Sequence, residues 1–94
     1  MDLKTIILES IENINKDLQI DALNSVDENT PLFEHLDSLG TLDLILELEN
    51  RLEEETGSYI AVANEESMDV KKTPFLNIVT LQSFLEKRVQ DEQN

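Results

Sequence analysis

The chain has 94 residues, 39% of them hydrophobic and 30% charged, enough for one small domain over 1–94 and too few for two. Its 21 acidic and 7 basic side chains give a formal net charge of −14; it lacks the clustered Lys and Arg that hold nucleic acid or anionic lipid. With no cysteine and one histidine, disulfides, thiolate catalysis and Cys or multi-His metal sites are excluded.

Residues 3–18 predict an amphipathic helix. Leu3, Ile7, Ile11, Ile14 and Leu18 recur at steps of four, four, three and four, and Asp2 stands where an N-cap belongs. Lys4, Glu9, Glu12, Asn13 and Lys16 take the other face. Residues 19–36 lose the period. Asp21, Asn24, Ser25, Asp27, Asn29, Thr30 and Pro31 are turn formers, and Ile20, Leu23, Val26, Leu32, Phe33 and Leu36 read as anchors of a long loop packed over a core.

Residues 38–55 predict a second helix. Leu42, Ile45, Leu46 and Leu52 form its apolar stripe, widened by Leu44 and Leu48, with Asp37 or Ser38 as N-cap and Gly57 as its left-handed stop. SYIAVA over 58–63 fits a short buried strand or a turn with apolar anchors, and NEESMDVKK a short helix. Thr73–Pro74 reads as the start of a last helix, in one piece or two, that runs to about Val89. Ile78, Leu81, Leu85 and Val89 space its buried face, Phe84 lies alongside, and Lys87 and Arg88 fall in its last turn, with DEQN fraying. The sum is an all-α bundle of three to four helices with a long loop between helices one and two. No apolar run approaches the ~18–20 residues of a membrane span, and MDLKTIILES has no basic start or cleavage site of a signal peptide. A cytoplasmic monomer is expected.

Enzyme chemistry is hard to assemble from these residues. In a chain this acidic, neighbouring carboxylates are mostly a solvated face, and general acid/base work needs a pocket and shifted pKa values. His35 has no triad partner, two glycines cannot make a phosphate-cradling loop, and NEESMDV lacks the alternating ligands of a calcium loop. Ser38 is different. It opens the second helix between Asp37 and Leu39, where unpaired N–H groups and the positive dipole end favour an anionic phosphodiester. Asp37 is placed to hold a metal ion bridging to a transferred phosphate. The plain alternative is that Asp37 or Ser38 only caps the helix.

An Asp-Ser-Leu triplet, an acidic amphipathic helix behind it and a long anchored loop before it together resemble the acyl carrier protein family. The similarity covers about residues 3–90 and is strongest over 36–52. There Leu36, Asp37, Ser38, Gly40, Thr41, Glu49, Asn50 and Arg51 look like the D-alanyl carrier protein branch, as do Thr73, Pro74, Asn77, Ile78 and Val79 further on. Ile78, Thr80, Leu81 and Gln82 fit the general carrier pattern. Glu34–His35–Leu36 stands where carriers commonly have Leu-Gly-x, and the stretch 53–72 is several residues longer than in D-alanyl carriers.

The resemblance implies a bundle of acyl carrier protein type. Its serine, here Ser38, takes 4′-phosphopantetheine from coenzyme A, and the thiol of that arm carries acyl or aminoacyl cargo as a thioester. Asp37 assists by holding Mg2+, which is needed only during the transfer and has no stable site. The chain is then a non-catalytic carrier rather than an enzyme. Its implied partners are a phosphopantetheinyl transferase, an acyl- or aminoacyl-activating ligase, and a downstream acyltransferase or synthase with a basic docking patch. Leu39 and Leu46 are candidates for apolar partner contacts, and Asp43, Glu47, Glu49 and Glu53 for steering basic surfaces. Leu32, Phe33, Leu36 and Leu42 are assigned to the loop and core. Cargo stays open between D-alanyl or another aminoacyl group and a fatty or specialised acyl group. A carrier-like fold used only as an interaction module, and an unrelated acidic helical binding protein, are the competing readings.

Overall fold

Asp2 starts the first helix as expected. Its carboxylate accepts from the Thr5 amide at 3.3 Å and the Thr5 hydroxyl at 2.9 Å, and these bonds hold its pKa below the usual carboxylate value. Helix α1 then spans Leu3–Leu18 in a computed structural model that describes residues 2–63, 75 and 77–93. It buries Leu3, Ile6, Ile7, Ile11 and Ile14, so Ile6 joins the stripe and Leu18 only edges it. It ends at Gln19, a left-handed cap at φ 55° whose amide bonds Asn15 O at 2.8 Å.

The segment after α1 is anchored at five of the six expected positions, the side chain of Phe33 lying outside what is described, and it carries two helical turns. Asp21–Leu23 forms a 3-10 turn and Leu32–His35 a single turn, α2. Leu23, Leu32 and Leu36 are buried, with Ile20 and Val26 packed against the core. Asn15 fastens this segment to α1. Its side-chain oxygen accepts from the Ile20 amide at 2.8 Å, and its amide group donates to Ile20 O at 3.1 Å and Asn24 Oδ1 at 2.9 Å. Farther on, Asp27 and Thr30 close a side-chain-bonded turn, and Lys4 reaches Glu28 at 2.7 Å.

Helix α3 spans Ser38–Thr56, and Gly57 closes it at φ 76° with its amide on Glu53 O at 2.9 Å. Its buried aliphatic residues are Leu44, Ile45, Leu48 and Leu52, all at 0–1% exposure. The stripe expected from sequence is therefore corrected: Leu42 and Leu46 lie outside it, at 44% and 54% exposure. Seven apolar positions between 39 and 52 cover too much of a 3.6-residue turn for periodicity to choose the inward face.

Residues 58–63 form no strand; they are a turn with apolar anchors, Ile60 and Val62, both fully buried. The proposed 64–72 helix and the Thr73–Pro74 start lie outside the described residues. Helix α4 spans Ile78–Gln93 and buries Ile78, Leu81, Phe84, Leu85 and Val89, the predicted face. Asn77 caps it, accepting from the Thr80 amide at 2.9 Å while its own amide donates to Thr80 Oγ1 at 3.1 Å. The helix runs past Val89, so Lys87 and Arg88 are not in its last turn and Asp91–Gln93 stay helical; Arg88 pairs with Glu92 at 2.9 Å.

Helix α1 packs on both α3 and α4. The radius of gyration, 12.3 Å, is close to the ~12.4 Å expected of a compact chain of this length. The described residues are all-helical and turn, a small helical bundle without a strand. Among the described residues, no helix is long and apolar enough to cross a membrane.

Candidate functional site

The head of α3 is built by local chemistry. Asp37 sits in extended backbone and its Oδ1 accepts from the Gly40 amide at 2.7 Å, so Asp37 rather than Ser38 is the N-cap. Ser38 is the first helical residue. The other oxygen of the exposed Asp37, Oδ2, makes no hydrogen bond among the described residues. The amides of Ser38 and Leu39 lie in the first turn, which has no carbonyl behind it to accept them, at the positive end of a 19-residue helix.

Gly40 lets this end sit close on the bundle. A Cβ there would stand 3.2 Å from Leu36 Cδ2 and 3.5 Å from Leu18 Cδ1. Buried Leu36 and the end of α1 thus fix where Asp37 and the first turn of α3 lie.

Leu39 is 72% exposed and Leu46 54%, so both predicted contact residues are free of the core. Leu42 joins them, although the sequence assigns it to the core. Positions 39, 42 and 46 are spaced three and four, so the three leucines form one ridge leading away from Ser38.

The four predicted steering acids separate. Asp43 and Glu53 are exposed and form no ion pair among the described residues. Glu47 pairs with Arg51 at 2.8 Å, and Arg51 also reaches Glu9 of α1 at 3.0 Å. Glu49 is a correction. It is buried, and its Oε2 accepts from the Val62 and Ala63 amides at 2.8 and 3.1 Å, while Tyr59 donates to Oε1 at 3.3 Å. Its charge is spent on the turn after α3 rather than on solvent. Arg88 clasps the same turn from α4 through Ala61 O at 2.9 Å.

Tyr59 was missed by the sequence reading. It is 60% exposed, and the Glu49 carboxylate beside its phenol, with partial desolvation and their hydrogen bond, raises its pKa above the ordinary value near 10. A lone tyrosine between Gly57–Ser58 and an apolar pair is the only sequence signal there. Compared with protein-family models, curated proteins and solved structures, the chain finds no match.

Proposed function

We propose that this chain is a phosphopantetheine carrier protein whose bundle is of acyl carrier protein type. The observation that carries the reading is the Asp37–Ser38 pair at the head of α3, with the exposed ridge of Leu39, Leu42 and Leu46 directly behind it. Ser38 supplies the hydroxyl that is esterified, and a separate transferase activates it. Its flanks fit an attachment point, because Asp37 and Leu39 are both exposed. Asp37 keeps one carboxylate oxygen for Mg2+ during that transfer while the other holds the helix cap. Once attached, 4′-phosphopantetheine supplies a thiol that holds acyl or aminoacyl cargo as a thioester.

The ridge gives partner enzymes an apolar seat, and Asp43 and Glu53 attract basic patches on a transferase, an activating ligase and a downstream acyltransferase or synthase. The same ridge also suits an interaction module that never takes the arm. A fluorescent coenzyme A analogue separates the two readings. With Mg2+ and a promiscuous phosphopantetheinyl transferase, the carrier becomes labelled and its Ser38→Ala variant does not. A folded wild-type chain that stays dark supports the interaction module instead.

A further inference from the structure

Gly40 is the third residue of α3 and keeps helical backbone; of the two glycines only Gly57 takes a positive φ. Glycine destabilises a helix relative to Ala through backbone entropy. Its conformational freedom is not used here, so what position 40 needs is space. That space is bounded unequally. A Cβ there would stand 3.2 Å from Leu36 Cδ2, 3.3 Å from Asp37 Oδ1 and 3.5 Å from Leu18 Cδ1, and the first two are so close that a neighbour must give by a few tenths of an ångström. Leu36 is 5% exposed, and its amide is held by Leu32 O at 3.0 Å. Leu18 ends α1, where the Gln19 cap and the Asn15 bonds fasten the chain. Asp37 is exposed, and its Oδ1 is the atom that accepts from the Gly40 amide at 2.7 Å. A side chain at 40 therefore displaces the Asp37 carboxylate rather than the packed leucines.

We propose that Gly40 is a positioning residue for attachment of the phosphopantetheine arm: having no side chain, it lets Asp37 cap α3 through Oδ1 and keep Oδ2 outside the cap. Gly40 acts through Asp37 and not on the reacting atoms, a role that rests on the carrier reading above. In the transfer a bond forms between the Ser38 oxygen and the phosphorus next to pantetheine. The diphosphate bond of coenzyme A breaks, the adenosine bisphosphate leaves with the bonding pair, and the hydroxyl proton passes to the transferase. A carboxylate turned by a fraction of an ångström on the residue next to that serine slows the step, since a misplacement of about 1 Å can cost ~100-fold. Coenzyme A is bound by the transferase, so its KM stays where it was.

The test is a cycle of Gly40→Ala, Asp37→Ala and the double variant. On the chain without the arm, NMR reads the Asp37 carboxyl 13C shift and the exchange rate of the residue-40 amide. Gly40→Ala should melt within about 4 °C of wild type, because better helix propensity offsets a weaker cap. Its Asp37 carboxyl signal should move, and the residue-40 amide should exchange several-fold faster. With coenzyme A, Mg2+ and a transferase, its kcat should fall about tenfold at unchanged KM for coenzyme A. In the Asp37→Ala background the same methyl should cost less than about twofold, because the group it acts through is gone. Four results overturn the proposal: Gly40→Ala loads like wild type, leaves the Asp37 signal unmoved, loses the same factor without Asp37, or fails to fold. A wild-type chain that never loads instead removes the carrier reading, and the transfer role of Gly40 with it.

Discussion

Asp37 holds the Gly40 amide through one oxygen, and the other makes no hydrogen bond among the described residues, so two substitutions separate its roles. Asn caps a helix about as well as Asp, whereas Ala loses roughly 0.5–2 kcal/mol. Asp37→Asn should therefore melt near wild type yet load phosphopantetheine more slowly, and Asp37→Ala should lose both; equal loading by wild type and Asp37→Asn removes the metal role. Tyr59 offers a second test, because it is the sole tyrosine and the chain has no tryptophan. Its folded pKa is raised by Glu49. The neutral phenol's contribution to folding is then complete below about pH 10 and is lost as pH climbs through the folded value. Ultraviolet titration should show a midpoint above 10 that falls in Glu49→Gln; an unmoved midpoint contradicts the contact. Asp2 and Asp37 were legible as helix caps because capping acts over three residues. Glu49 was not, because the amides it holds are 13 and 14 residues away.

At the scale of elements, two polar side chains secure what lies between the helices. Asn15 ties the start of the α1–α3 connection. Asn15→Ala removes three hydrogen bonds from the half-buried Ile20 and the exposed Asn24 and should lower stability by about 0.5–1.5 kcal/mol in urea unfolding, with faster hydrogen exchange at Ile20. Glu49→Ala strands the Val62 amide inside the bundle and should lower stability by roughly 2–3 kcal/mol. A loss under 0.5 kcal/mol in either variant means the bond is not needed. Helices α1 and α3 were readable from period and caps, and the buried face of α4 from Ile78, Leu81 and Leu85. The inward face of α3 was not, since its apolar residues cover more than half of its circumference. The ridge appears only once Gly40, Leu44 and Leu48 turn inward on α1.

Over the whole molecule, 21 carboxylates on a 94-residue chain repel one another at neutral pH. The ion pairs at Lys4, Arg51 and Arg88 are partly exposed and offset little of this. Screening lengths shorten from about 30 Å at 0.01 M salt to about 8 Å at 0.15 M. The melting temperature should therefore rise over that range, and further with Mg2+; a flat profile contradicts this. The central claim is that Ser38 is a modification site and not only the first residue of a helix. The most direct measurement is the intact mass of the purified chain before and after incubation with coenzyme A, Mg2+ and a phosphopantetheinyl transferase. The carrier account predicts a gain of one phosphopantetheine in wild type and none in Ser38→Ala. A folded wild-type chain whose mass does not change contradicts it and leaves α3 with a helix start and a docking ridge alone.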